Sequence, residues 1–261
     1  MLVKVRERRA NDSGSHPGFW HRHRPQIQPT MSENPRASAL EELACAPIPT
    51  RFARFDLHVY RYEDPTAHPE LSKEHCALVL GDLRGRTHVP VRVHSECLTS
   101  EVFGSLKCDC REQLERAQEE IARRGFGAIL YLRQEGRGIG LSNKVRAYAL
   151  QADGADTVEA NEQLHLPVDA RTYDVAAAML EALGVESIEL LTNNPAKIAA
   201  LTKLGVRIER RVPVLVPATP FSASYLETKR RLMQHELPSN PHHHPPSGSP
   251  PGPDSQKSLA S

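Results

Sequence analysis

The sequence predicts an α/β domain, a mixed sheet covered by helices, over residues 51–237. Two observations carry that expectation. Short apolar or alternating runs are interspersed with amphipathic stretches of helical period from residue 55 to 237. The two ends of the chain lack any such pattern, so the packed region is bounded on both sides.

The first expected strand lies in RFARFDLHVYRY, where Phe55, Leu57 and Val59 alternate. CALVLGD and VPVRVH read as two more strands, the first closed by Gly81-Asp82. REQLERAQEEIARRGFG is helical, with Leu114, Ala117 and Ile121 on one face and Gly125 as its stop. AILYL is a short buried strand that runs into RQEGRGIGL, and SNKVRAYALQADG is a second helix. TYDVAAAMLEALG is an amphipathic helix ending at Gly184, and SIELL is a strand. NNPAKIAALTKLG starts a helix with Asn194 as cap and Pro195 in its first turn, and Gly205 lies past its end. RIERRVPVLVP supplies a last strand and SASYLETKRRLMQHEL a last helix.

Residues 1–50 show no periodicity and are expected to form a mostly disordered extension. Their start is basic but has no apolar core of a secretory signal, and a second methionine, Met31, offers an alternative start. The tail, 238–261, holds seven prolines in 24 residues together with three adjacent histidines, so it is expected to be solvated and disordered.

Hydrophobic residues make up 39% of the chain and charged residues 25%, the balance of an ordinary globular protein. A formal charge of +1 argues against a nucleic-acid coat, and no apolar run reaches the roughly eighteen residues of a membrane span. Any anionic ligand therefore needs a local group of cations. Five cysteines without a secretory signal suit the reducing cytoplasm, where clustered thiols serve metals more often than disulfides.

Three of those cysteines, Cys97, Cys108 and Cys110, follow a C-x10-C-x-C pattern in HSECLTSEVFGSLKCDC, while Cys45 and Cys76 stand apart. Three thiolates leave one position of a tetrahedral zinc for water, as in a catalytic site. Bound water then loses its proton near pH 7, at about that value. His94 as a fourth ligand would instead close the site and make the zinc structural. His94-x-Glu96 also echoes the H-x-E of zinc nucleobase deaminases, but the P-C-x-x-C of that family is missing.

Anion-binding candidates fall in three places: Arg133 and Arg137 around the glycine turn of RQEGRGIG, Lys144, Arg146 and Tyr148 on the next helix, and Thr192 and Lys197 at the start of the helix in LLTNNPAKI. Each alone is more simply a solvated face, a packed aromatic or a plain helix cap. Beside a three-cysteine site they point to a zinc hydrolase acting on a phosphorylated small molecule.

RVHSECLTSEVFGSLKCDCREQL, LYLRQEGRGIGLSNKVRAYALQ, DTVEANEQL, DARTYDVAAAMLEALGV and LLTNNPAKI resemble, in order, the motifs of GTP cyclohydrolase II, the first committed enzyme of riboflavin synthesis. The resemblance covers residues 53–237 and leaves out the arm and the tail. It implies that Cys97, Cys108 and Cys110 bind one catalytic Zn2+. GTP is then held by Arg92, Val93, His94, Ser95, Glu96, Gln113, Glu135, Gly136, Arg137, Thr157, Thr192 and Lys197, with Mg2+ on the phosphates.

Asp169 and Arg171 match the family's proton acceptor and nucleophile, and Tyr148 its tyrosine near the reacting ring. The implied reaction opens the guanine ring by attack of zinc-activated water at C8. It releases formate and pyrophosphate and leaves 2,5-diamino-6-(5-phosphoribosylamino)pyrimidin-4(3H)-one. A guanidinium is normally fully protonated, so Arg171 as an electrostatic stabiliser stands beside Arg171 as nucleophile. The family is homodimeric, and the expected partners are GTP and a second copy, with neither nucleic acid nor membrane. A deaminase and a non-catalytic nucleotide-binding module with structural zinc are the alternatives.

Overall fold

The computed structural model describes residues 39–63, 73–152 and 162–216. The basic arm, Thr157, the helix expected over 222–237 and the Pro/His-rich tail lie outside the described residues.

In chain order the elements are β1 (Leu40–Pro49), β2 (Arg54–Tyr62), β3 (Glu74–Leu80), β4 (Val89–Ser95), α1 (Leu98–Glu101), α2 (Cys110–Arg124), β5 (Gly127–Leu132) and a 3₁₀ turn at Glu135–Gly138. There follow α3 (Leu141–Ala152), α4 (Asp174–Ala182), β6 (Ile188–Leu191), α5 (Pro195–Lys203) and β7 (Ile208–Val212). The strands form one sheet in the order β1-β2-β3-β5-β4-β6-β7. Pairs from β1 through β3 to β5 are antiparallel, whereas β5-β4, β4-β6 and β6-β7 are parallel. The sheet is therefore mixed, and helices cover both faces, as expected of the α/β class.

One core joins α4 and α5 to one face of the sheet, through Val175, Ala176, Met179 and Leu201 against Val91, Val93, Leu130 and Leu190. A second core packs Ala117 and Ile121 of α2 against Phe55, Ile129 and Leu191 on the opposite face. Both α2 residues are fully buried, which accounts for the helical spacing of apolar residues along that stretch.

β1 is an addition to the sequence reading, which places no strand before residue 51. Its half-buried residues are Leu40, Leu43, Cys45 and Ile48, a spacing of 3, 2 and 3 rather than a regular 2. The register slips between Glu42 and Ala44, so Leu43 is an inserted residue. Pro47 and Pro49 further weaken the strand signal, and an edge strand tolerates both.

β4 runs centrally, flanked by parallel strands on each side, and only its last residue, Ser95, escapes burial. The chain leaves β4 for β5 on one side through α2, then crosses to β6 on the other. The carboxyl ends of β4 and β6 thus flank a topological switch point, where open α/β sheets bind ligands.

Candidate active site and metal centre

Arg92 and His94 lie on β4, both buried although polar, in the middle of a core strand. Arg92 donates to Leu191 O of β6 at 3.0 Å and to Gln113 Oε1 of α2 at 2.6 Å. Its Nε donates to His94 Nδ1 at 3.4 Å. His94 Nε2 therefore carries the ring proton and donates it to Glu101 Oε1, 2.8 Å away. Burial, the largest influence, pushes the His94 pKa down, against the opposing pull of Glu101. The ring is neutral at neutral pH, and it stacks on Tyr131 with centroids 5.7 Å apart.

Glu101 was not legible as a site residue, yet it ties this region together. Its Oε1 also accepts the amide proton of Cys97 at 3.0 Å, and its Oε2 accepts the Tyr131 hydroxyl at 2.5 Å. The carboxylate at the end of α1 thereby fixes the backbone of the first cysteine as the chain leaves β4.

Cys97 follows β4, and Cys108 and Cys110 stand at the start of α2, on either side of its N-cap Asp109. Their three sulfurs lie within 4.8 Å of one another, with Cys97 Sγ and Cys108 Sγ 3.6 Å apart. Tetrahedral zinc with sulfur ligands at about 2.3 Å needs sulfurs about 3.8 Å apart, so the donor set fits a metal of that class. The Cys108 and Cys110 thiols, then the ammonium of Lys144, pull the Cys97 pKa far below the usual thiol range. His94, the candidate fourth ligand, is not in this cluster, and both its ring nitrogens face other partners.

α3 forms a wall beside the cysteines. Lys144 Nζ donates to Cys97 Sγ at 3.2 Å and to Glu135 Oε1 at 2.7 Å. Burial works against its charge, but Cys97 and Glu135 outweigh burial and hold the ammonium protonated. Lys144 is thus a neighbour of the Cys97 sulfur rather than an open phosphate anchor, while Arg146 is exposed and bonds Asn143 Oδ1 at 2.8 Å. Tyr148 lies under two ammonium groups, with Lys107 Nζ 4.6 Å and Lys144 Nζ 5.8 Å from its ring centre. Burial, with Lys144 opposing and the thiols adding, pushes its pKa up to about 12, so its hydroxyl keeps its proton.

The EGRG turn joins the cysteines to the DAR segment. Glu135 is buried, and its carboxylate accepts from Leu98 N at 2.7 Å and from Gly136 N at 2.7 Å. Gly136 and Arg137 both have left-handed backbone, with φ of 64° and 58°. At Gly138, φ is 88°, and a β-carbon would meet the Ala170 carbonyl at 2.8 Å. The two segments also share a hydrogen bond from Ala170 N to Arg137 O at 2.9 Å. Gln134, another residue the sequence reading missed, donates to Ser95 Oγ at 3.0 Å and accepts from Thr172 N at 3.3 Å.

Asp169 and Arg171 form a two-point fork: Nε meets Oδ1 at 2.8 Å, and Nη2 pairs with Oδ2. Burial would raise the Asp169 pKa, but the Arg171 guanidinium, helped by Arg137, holds it below the ordinary carboxylate value.

The remaining expected contacts are placed as follows. Lys197 is buried in the first turn of α5 and donates to Val93 O at 2.6 Å, while the Val93 side chain is wholly in the core. The α5 cap forms as expected, Asn194 Oδ1 accepting from Ala196 N at 2.9 Å, and Thr192 Oγ1 accepts from Asn194 N at 3.1 Å. Gln113 Nε2 donates to Asp109 Oδ2 at 2.6 Å. Glu96 is half-buried and pairs with Arg133 at 3.6 Å, and burial, its largest influence, raises its pKa.

Known proteins share this chain's pattern along most of its length. The family model described as GTP cyclohydrolase II matches residues 41–213. The GTP cyclohydrolase-2 of Picrophilus torridus is 47% identical over 196 residues, which is 75% of this chain and 98% of the relative. That of Acinetobacter baylyi is 50% identical over 198 residues, 76% of this chain and 96% of the relative. Among solved structures, a two domain 3,4-dihydroxy-2-butanone 4-phosphate synthase from A. baumannii matches 69% of this chain and 41% of its own, at 22% identity and a TM-score of 0.39. With a family model covering the sheet from β1 to β7 and relatives matched almost end to end, the chain belongs to the GTP cyclohydrolase II family.

Proposed function

We propose that this chain hydrolyses GTP to formate, pyrophosphate and 2,5-diamino-6-(5-phosphoribosylamino)pyrimidin-4(3H)-one, the first committed step of riboflavin synthesis. The observation that carries this reading is the convergence of three thiol sulfurs at the carboxyl end of β4, with the neighbouring His94 bound elsewhere through both nitrogens. Three thiolates, with no fourth His, Cys, Asp or Glu in the group among the described residues, suit a catalytic zinc better than a closed one.

A zinc ion held by Cys97, Cys108 and Cys110 would supply water activated near neutral pH for attack at C8 of the guanine. The protein's own groups do the rest. Lys144 offsets the negative charge of three thiolates from 3.2 Å away at Cys97. Tyr148, protonated and beside the cysteines, orients the attacking water or the formyl group through its hydroxyl.

Arg92, Arg137 and Lys197 would supply positive charge for the triphosphate, and a Mg2+ ion bound with the GTP would add to it. Val93, Ser95, Glu96, Gln113, Glu135, Gly136, Thr157 and Thr192 complete the proposed pocket with His94. The Asp169 fork keeps Arg171 a cation, which favours stabilisation of charge developing at the α-phosphate over a nucleophilic role. The working enzyme is proposed as a cytoplasmic homodimer, its catalytic domain the 51–237 expected from sequence, extended at its start by β1.

The test is to incubate the purified protein with GTP, Zn2+ and Mg2+ and follow formate, ammonia and pyrophosphate. Formate with pyrophosphate is expected. Ammonia without formate would make the chain a deaminase, and neither product would leave a binding module. Cys108→Ser should lose zinc and formate release together, and retention of the metal without activity would refute the three-thiolate assignment.

A further inference from the structure

The described part of the sheet holds a second group of nucleophile, base and acid, far in sequence from the three cysteines. Glu42 and Cys45 lie on the edge strand β1 and His58 on β2, and nothing in the GTP reaction uses them. Cys45 faces His58 directly across the strand pair, and Glu42 faces Tyr60. Residues three apart on a regular strand point to opposite faces of a sheet. The inserted Leu43 breaks that parity, so both Glu42 and Cys45 share the face that carries His58 and Tyr60.

Cys45 and Glu42 both contact the imidazole of His58. Cys45 Sγ is 3.6 Å from His58 Nε2, and His58 Nδ1 is 3.1 Å from Glu42 Oε1. The carboxylate accepts a proton only from Nδ1–H, which leaves Nε2 as the lone-pair nitrogen facing the thiol. Tyr60 stacks on the imidazole at 6.0 Å with the planes only 7° apart, so the ring orientation is fixed. Nucleophile, base and orienting acid are in the order that activates a thiol. The group also reaches solvent: Cys45 is half-buried, and the Glu42 side chain is 44% exposed.

The same three residues also offer ligand atoms within 4.8 Å of one another, close enough to share an ion. An imidazole offers one nitrogen to an ion, and here the carboxylate occupies the nitrogen remote from the sulfur. An ion would therefore compete with the carboxylate for the imidazole, and the zinc content of Cys45→Ser separates the two readings.

We propose that Cys45 is a modification site, a thiol activated by His58 and Glu42 that undergoes exchange with a low-molecular-weight disulfide. In that step the Cys45 S–H proton passes to His58 Nε2, and the Cys45 sulfur attacks one sulfur of the disulfide. A new S–S bond forms as the old one breaks, and the departing thiolate takes the proton from His58. One disulfide and one thiol enter, one disulfide and one thiol leave, and no separate oxidant is needed.

Cys76 is the internal control. It lies in the same sheet, beside β2, but pairs with Val59 on the opposite face, and burial raises its pKa. The zinc-loaded full-length chain is incubated with glutathione disulfide, and adducts at each cysteine are timed by peptide mass spectrometry. Cys45 should be modified about tenfold faster than Cys76 or more, as expected for an activated thiol. His58→Gln should remove that advantage, and Glu42→Gln should reduce it, both without changing the Cys76 rate. A merely loosened strand edge would speed both cysteines instead.

Cys45→Ser should abolish this adduct and leave formate release from GTP unchanged. Equal rates at Cys45 and Cys76, or an unaltered Cys45 rate in His58→Gln, overturns the proposal. So does loss of a second equivalent of bound zinc in Cys45→Ser, which would make the cluster a metal site.

Discussion

Arg171 shows how one residue's neighbours constrain its chemistry. A nucleophilic guanidine would have to surrender a proton, yet Asp169 grips Nε and Nη2 together and favours the cation. Arg171→Lys separates the two roles, because an ammonium keeps the charge but loses the fork and the guanidine nitrogens. We expect Arg171→Lys to retain measurable formate release and Arg171→Met to fall well below it. Equal, complete inactivity of both variants would favour the covalent role. Glu101 and Gln134 make the complementary point. Their importance lies in what they join, and a lone Glu or Gln in sequence carries no sign of its partners.

Among the elements, the EGRG turn controls the site more than its length suggests. Its left-handed residues fold the chain back so that Glu135 braces Lys144 and the start of α1, while Gly138 presses on Ala170. Only a residue without a β-carbon allows that approach at a φ of 88°. Gly138→Ala must push the DAR segment away from the turn. The expected result is a loss of formate release of about tenfold or more, since small displacements of positioned groups are costly. Zinc content should be unchanged, because the cysteines lie just after β4 and at the start of α2. A fully active Gly138→Ala would show that the two segments need not touch. β1 marks the limit at this scale: its bulge and its prolines erase the two-residue period that reveals an ordinary strand.

Across the whole molecule, acid should weaken the fold in two stages. His94 is held neutral with a lowered pKa, so its contribution is present above the ordinary imidazole value of about 6.5 and is lost as pH falls below it. Asp169 is also lowered, so its contribution survives to about pH 4 and is lost on further acidification. One proton corresponds to at most about 1.4 kcal/mol per pH unit, so stability should fall measurably as pH drops below 6.5. Urea unfolding of metal-stripped protein across that range provides the measurement. A flat stability from pH 7.5 to 5 would contradict a buried neutral His94.

The sequence by itself determined the α/β class, most strands and helices, the α5 cap and the grouping of three cysteines. Those features are encoded locally, in periodicity, capping residues and short spacing, and the motif order pointed to the family. The tertiary structure decided what depends on residues distant in the chain. It turned His94 from a possible metal ligand into a bridge between Arg92 and Glu101, and brought Lys144 to Cys97. It also placed Cys45 against His58 by means of a one-residue bulge. Such contacts follow from strand register and helix packing, which no local window of sequence contains.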